Sequence, residues 1–425
     1  MSKVKNILIE LVGLTASWTI IRFGDNSAFK IILLSLIIVS VLGLHIKINK
    51  YNCNPLFYLM YVCMILTLCL SVAFPIGTIW IKQEYIQFFW ISFYVLFYLL
   101  ASAYSDSQIL IFYKGFIIGS VIQLLWEIIQ YLIYTIAGID INMTFFSTFY
   151  SRSYMKEGGF GASGLAWHPS NLAPLLVVLF WTTNNWYLKA AVIVASILSN
   201  NSTVIICVFV CLFINIILVK KEKVQIKKRS IIFAFIAVVM LVVLLFKTNL
   251  LSITNDRVSF IYQRLFGGYY DGGSTDAHIR YYTSIPTVVM KFPLIKILFG
   301  FGEGCSGFVM TSLFGQYSNT GAWALECDVV NILWNKGIIG FVLFYGWLTS
   351  IIRRGWKINH KYSYILIAII VGGIFYNIQY DWVIILEIIL DIAIYKRIDL
   401  FSENSLNNTK LLKASLYKSK RNQKQ

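Results

Sequence analysis

The sequence predicts an all-α polytopic integral membrane protein of about 12 transmembrane helices, and three observations carry that prediction. Of the 425 residues, 58% are hydrophobic and only 13% charged, against roughly 45–50% apolar and about 25% charged in an ordinary soluble domain. The apolar residues gather in runs close to the ~20 residues that one bilayer-crossing helix needs. The basic residues collect between those runs, and all their clusters fall on one side once a single cluster is oriented.

In chain order, apolar segments run near 5–21, 30–46, 56–75, 85–104 and 108–137, then 170–183, 187–200, 202–219 and 229–247, and finally 329–352, 361–378 and 382–396. Lys3 and Lys5 precede the first run as in a signal peptide, but no small-residue cleavage site precedes Arg22, so it reads as an uncleaved span. Asn184, Asn185, Asn200 and Asn201 interrupt the short pair between 170 and 200, which leaves a re-entrant arrangement open there. Residues 220–230, KKEKVQIKKRS, carry six basic side chains, too many to translocate easily in a short loop, and are expected in the cytoplasm. Counting outward puts both termini, 47–50, 353–361 and the basic tail 397–425 on that same side. The chain 1–425 therefore reads as a single transmembrane domain, with extracytoplasmic loops at 138–169 and 248–328. At 81 residues the second loop is too long for a mere connector. Its segment 292–304, FPLIKILFGFGEG, suits a helix lying on the membrane surface.

The formal net charge of +17 would suggest a nucleic-acid partner in a soluble protein. Here the same charges report orientation and contact with membrane lipid, and no nucleic acid is expected. Cys53, Cys63, Cys69, Cys207 and Cys211 fall in or beside apolar runs, whereas Cys305 and Cys327 fall together on the outer side, where a disulfide is chemically permitted.

The outer loops concentrate the chemistry. Arginine presents a planar fork of donors that matches phosphate oxygens, so Arg152, Arg257, Arg264 and Arg280 suggest a phosphate-bearing ligand, with salt bridging to nearby carboxylates as the plainer reading. His168 and His278 suit hydrogen bonding to a ligand; neither has a second histidine or cysteine at ligand spacing, so no metal and no cofactor are expected. Glu326 and Asp328 stand at the start of a span beside Trp323, where partial burial would raise a carboxyl pKa towards that of a general base. A structural role competes: Asp328 is a good N-cap, and Pro169 suits a first helical turn. Lys114, Glu127, Glu387 and Asp391 lie within spans; Glu127 is deepest, and the others are expected to snorkel or lie near span ends. Tyr269, Tyr270, Tyr281 and Tyr282 suit stacking on sugar rings.

Three stretches of the outer side resemble the O-antigen polymerases and ligases (Wzy-type polymerases and their ligase relatives). In GLAWHPSNLAPLL, Gly164 to Leu176, Pro169 and Asn171 match the family's Pro-x-Asn at the entry to a span. Arg280 is followed by Pro286 and Pro293 and by the glycine-rich turn Gly300, Gly302 and Gly304, in the family's order. In ECDVVNILWNKGIIGFVLFYGWL, Gly337 to Gly340 match its Gly-Ile-x-Gly turn. The ligases carry a histidine eleven residues before the first glycine of that turn, where this chain has Glu326; many polymerases look acidic there, which Glu326 and Asp328 match. Ser199 to Thr203, SNNST, departs from the serine-arginine that relatives often carry.

The resemblance implies an enzyme that joins undecaprenyl-diphosphate-linked oligosaccharide repeat units on the outer face of a bacterial cytoplasmic (inner) membrane, without a metal, for an O-antigen, capsule or exopolysaccharide. Arg280, with Arg257, Arg264 or Arg152, would neutralise the diphosphate; Glu326 would take the acceptor proton, with Asp328 orienting it or replacing it. His168, His278 and Asn171 would contact sugar or phosphate. A chain-length regulator and a flippase are implied partners. A ligase is the alternative within the family, and a lipid-linked sugar transporter or flippase the alternative outside it. A transporter should show discontinuous spans, and of the six prolines only Pro174 lies well inside one.

Overall fold

In the computed structural model the described residues are 2–23, 26–43, 53–74, 78–146, 155–156, 159–221, 281–314, 325–379 and 381–402, and they are mostly helical. The chain opens with α1 (Ser2–Thr15), the two-residue antiparallel pair β1 (Arg22–Phe23) and β2 (Asn26–Ser27), and α2 (Ala28–Leu42). There follow α3 (Pro55–Ala73), α4 (Thr78–Ser102), α5 (Asp106–Ala137), the short α6 (Ile141–Phe145), and a second pair, β3 (Met155–Lys156) with β4 (Gly159–Phe160). A 3-10 turn at Pro169–Asn171 leads into α7 (Leu172–Thr182), α8 (Trp186–Leu198) and α9 (Ser202–Lys221). Three short helices, α10 (Ile285–Lys291), α11 (Leu294–Phe299) and α12 (Ser306–Phe314), precede α13 (Asp328–Gly355), α14 (His360–Phe375) and α15 (Asp381–Tyr395).

Every predicted apolar segment within the described residues coincides with a helix; 229–247 lies outside them. Among the described residues, four helical stretches are long and apolar enough to cross a membrane, Pro55–Ala73, Glu84–Ser102, Asp106–Ala137 and Asp328–Gly355, and several others are apolar but shorter. The first predicted span, 5–21, departs most from expectation, because α1 stops at Thr15. Beyond it the Ile20 amide takes the Leu165 carbonyl (3.0 Å) in place of a helical acceptor, and the Trp18 indole N–H anchors the turn to the Gly119 carbonyl (3.1 Å). α1 packs closely along α5 at Gly13, Gly115 and Gly119, where a Cβ would strike the neighbouring backbone, the small-residue contact common between membrane helices. α7 is buried on every side. That is why its sequence shows no amphipathic period.

Polar contacts tie the helix ends into two groups. At one end Lys396 Nζ donates to the Tyr104 carbonyl (2.5 Å), the Tyr362 hydroxyl to Ile398 (2.7 Å), and Lys5 sits over the Tyr104 ring (4.7 Å). At the other end the Ile20–Leu165 bond is joined by an ion pair between Lys30 and Asp381 (2.6 Å) and by the Asp328 amide donating to the Tyr376 carbonyl (3.4 Å). The first is called here the basic end and the second the cleft end. One apolar core runs through the bundle, and a second, centred on Val288, Ile297, Phe301, Met310 and Trp334, fixes α10 to α12 against the start of α13.

α13 is broken at Gly337, whose φ of 68° and ψ of −179° no side-chain-bearing residue adopts readily. The carbonyls freed by the break are satisfied from outside the helix: Phe301 N–H donates to Trp334 (2.8 Å) and Gly302 N–H to Asn335 (3.1 Å). Around the break lie the ion pair Lys336–Glu303, Lys296 donating to the Ser71 hydroxyl (3.3 Å), and Glu84 packed against Gly302. Lys296 therefore does not lie on the membrane surface as predicted: it is buried, and the loss of water lowers its pKa. Asp391 and Glu387, expected to snorkel or lie near span ends, are fully buried. Asp391 accepts from Trp347 Nε1 (2.9 Å), Arg354 (3.0 Å) and the Tyr98 hydroxyl, while Glu387 accepts from Gln379 (3.1 Å). Lys114, on α5, is half-buried. Cys305 and Cys327 are buried free thiols and form no disulfide. Cys327 turns instead to the Tyr282 hydroxyl (3.1 Å), and burial raises the pKa of both thiols.

Candidate functional site

The cleft end is built from a polar stripe on α5. Gln123, Glu127 and Gln130, at i, i+4 and i+7, share one helical face, and the loop 163–165 lies against it. A buried loop has backbone groups that need partners. Gln130 Oε1 accepts from the amides of Ser163 (3.0 Å) and Gly164 (2.9 Å), Gln123 Oε1 from that of Leu165 (3.0 Å), and the Asn142 amide donates to the Gly164 carbonyl (2.7 Å). Gln130 is itself held by Asp140 Oδ1 (2.9 Å). Glu127, between the two glutamines, is fully buried, in keeping with its expected depth. The SNNST segment supports the same loop from behind, since Asn200 donates to the Gly159 carbonyl (3.0 Å) and Ala162 N–H to Leu198 (3.0 Å).

From this support the chain presents Trp167 to Asn171. The Trp167 amide and the Asn171 side chain both donate to the Thr19 hydroxyl (2.8 and 3.5 Å). His168 caps the following turn, with Nδ1 accepting from the Ser170 amide (3.2 Å) and Pro169 at the first position, as predicted for Pro169. An accepting Nδ1 leaves the neutral ring's proton on Nε2, which faces the Tyr376 hydroxyl at 3.4 Å, and the two rings stack at 5.2 Å. Beside them opens a cleft of about 190 Å³. Arg22, Lys30 and Asp381 supply its charges, Thr19, Ser27 and Asn171 its neutral polar groups, and Phe29, Trp167 and Trp382 its apolar wall. The Arg22 guanidinium lies over the Trp167 ring (4.4 Å), and Lys30, over Trp90 (4.5 Å), is paired with Asp381.

Of the residues singled out in the sequence, the fold brings His168, Asn171 and Asp328 to this one end. Asp328 is not the N-cap of α13; Cys327 holds that position. Nor is Asp328 partly buried: it is enclosed, and its carboxylate accepts from the amides of Ile378 (3.0 Å) and Gln379 (3.2 Å), closing the turn between α14 and α15. A Cβ at Gly373 would come within 2.6 Å of it. Asp328 thus sets the backbone that carries Tyr376. Glu326, two residues earlier, is half-buried. Arg152, Arg257, Arg264, Arg280 and His278 lie outside the described residues. Among the described residues no three His, Cys, Asp or Glu side chains stand close enough to hold a metal ion.

Sequence reasoning did not single out Arg22, Lys30, Asp381, Trp167 or Tyr376. Arg22 follows the first apolar segment, Lys30 opens the second and Asp381 precedes the last, so each is visible as a charge at a segment end, but nothing local says that the three meet. Compared with known proteins, the chain matches no protein-family model and no curated protein.

Proposed function

We propose that this chain is a membrane-embedded glycosyltransferase, a polysaccharide polymerase that joins undecaprenyl-diphosphate-linked repeat units at the cleft end, in the manner of the O-antigen polymerases it resembles. The observation that carries the reading is the cleft itself: lined by charged and polar groups, aromatic-walled and small, at one end of an apolar helical bundle. Lys5, Arg353, Arg354, Lys361 and Lys396 belong to the basic end, which the positive-inside rule assigns to the cytoplasm and which leaves the cleft facing outward. In the reaction the acceptor hydroxyl oxygen attacks the anomeric carbon, the bond from that carbon to the diphosphate oxygen breaks, and the diphosphate departs with the electron pair. The acceptor proton passes to the Glu326 carboxylate. The loop arginines, Arg280 first, meet the charge growing on the diphosphate. His168, held by Ser170 and stacked on Tyr376, contacts sugar, and Asp328 acts by positioning.

A second reading has an observation in its favour. A helix broken at glycine amid buried charges, as at Gly337, is the discontinuous span expected of a transporter, so passage of a lipid-linked sugar across the membrane is the competing function. Glycan length separates the two. Cells lacking the gene are complemented with wild type, Glu326→Gln or Arg280→Ala at matched membrane levels. Polymerisation requires that wild type restore a long ladder while the variants leave single repeat units. Long lipid-linked chains in the deletion strain that are never transferred mean a ligase, and absence of lipid-linked units from the outer face means a transporter.

A further inference from the structure

Behind the cleft end, the turn between α14 and α15 encloses two carboxyl groups. Asp328 is 1% and Glu387 0% exposed, and among the described residues neither forms an ion pair. Gln379 joins them. Its backbone amide donates to Asp328 (3.2 Å), and its side-chain amide donates to Glu387 Oε1 (3.1 Å). Asp328 also accepts from the Ile378 amide (3.0 Å), so backbone dipoles meet its charge. Glu387 has no such support. Its Oε2 is buried and, among the described residues, accepts from no donor; Gln379 Oε1, on the same amide group that touches Glu387, is likewise buried and without a donor. Buried polar atoms are normally paired, and each exception asks for a reason. A single hydrogen on Glu387 supplies one here, because a protonated carboxyl gains an O–H donor. Acid and amide then answer each other twice, the amide N–H to Oε1 and the carboxyl O–H to the amide oxygen. The neighbours favour this neutral form. Asp328 and Tyr345 face Glu387 from α13, and two like charges in one enclosed site oppose each other. The remaining ionisable groups on the packed helices are engaged elsewhere. Asp391, one turn farther along α15, holds Arg354 and Trp347 of α13 and Tyr98 of α4; Tyr94 of α4 turns to Asp381, and Tyr113 of α5 to Thr182.

We propose that Glu387 is a proton-binding site inside the bundle: it holds one proton, directs it to Gln379 Oε1, and so keeps closed the turn that carries Tyr376 to His168. Ionisable side chains at membrane depth are costly, and the default reading of one is functional. Without its proton Glu387 is a carboxylate set against Asp328 and against an amide oxygen, with no cation among the described residues to answer it. The turn then opens to let the charge reach water. Tyr376 stacks on His168 at 5.2 Å, so the state of this proton is felt at the cleft end. The inference goes beyond the sugar-transfer reading and holds whether the cleft serves transfer or passage.

Infrared difference spectroscopy on the purified full chain in lipid nanodiscs reads the proton directly, since a protonated carboxyl absorbs apart from a carboxylate and shifts in deuterium oxide. At neutral pH, wild type minus Glu387→Gln should show the protonated band of one carboxyl, and raising the pH should remove it. Gln379→Leu, which takes away the amide partner and leaves the acid, should keep that band and move it, as a carbonyl freed of its hydrogen bond does; it also guards against misfolding of the first variant. Hydrogen–deuterium exchange at the Ile378 and Gln379 amides, corrected for intrinsic rates, should quicken in wild type over the pH range where the band is lost. The expected gain is about tenfold, the scale of one lost hydrogen bond. Glu387→Gln, neutral at every pH and still a donor to Gln379, should hold steady over the same range. A carboxylate band from Glu387 at neutral pH overturns the proposal. So does a carboxylate band that shifts when sodium replaces potassium, which would give the site to a metal cation. Loss of the protonated band without any change in exchange overturns the control of the turn.

Discussion

Replacing Gln130 by leucine isolates the contribution of the α5 stripe to the loop that carries Trp167 to Asn171. The side chain is fully buried, and leucine fills nearly the same volume without a polar atom. The change removes the acceptor that the described residues provide for the Ser163 and Gly164 amides (3.0 and 2.9 Å), while Asp140 keeps the Asn142 backbone amide (3.0 Å). A buried donor left without a partner costs about 1–3 kcal/mol, so two of them lower the local opening free energy by about 3 kcal/mol. At roughly 1.4 kcal/mol per tenfold, their exchange with deuterium should quicken by about a hundredfold. Leu165 is held by Gln123 (3.0 Å) and should quicken far less. Hydrogen–deuterium exchange with residue-level fragmentation, on protein in nanodiscs, reads the three amides separately. Gln130→Glu keeps the accepting oxygen and, with its carboxyl protonated, a donor for Asp140 Oδ1, so at a pH that protonates it Ser163 and Gly164 should stay protected. Exchange at these two amides within about threefold of wild type in Gln130→Leu, or acceleration spread evenly along α5, would refute the reasoning, because sub-global opening and loss of a local clamp differ in that pattern.

Gly337→Ala should destabilise the chain by about 3 kcal/mol or more, since alanine is strained at that backbone conformation and its Cβ would strike the Leu298 carbonyl; thermal unfolding in detergent, against a Gly346→Ala control whose Cβ meets only a Leu56 methyl at 3.7 Å, measures this. Cys305 and Cys327, buried as thiols of raised pKa, should show no reduction-dependent gel shift and should resist maleimide until the protein is unfolded.

The sequence by itself determined the helical, strongly apolar character and the approximate places of the helices, because composition and apolar run length answer to the solvent and not to any particular partner. It also determined the proline at the first turn after His168, a local steric matter. Other features were decided only by tertiary structure. α1 stops at Thr15, and beyond it the Ile20 amide donates to the Leu165 carbonyl, far along the chain, in place of a helical acceptor. Lys296 turns inward to Ser71, and Asp328 serves the Ile378 and Gln379 amides and not its own helix; each choice depends on a partner remote in sequence. Glu326 was legible through its place before a span. The cleft was not, because Arg22, Lys30, Trp167 and Asp381 lie up to 359 positions apart and become one charged, aromatic-walled pocket only when a short strand, a loop and the starts of two helices meet. Run length is a property of each segment alone, whereas a site is a property of which ends are brought together.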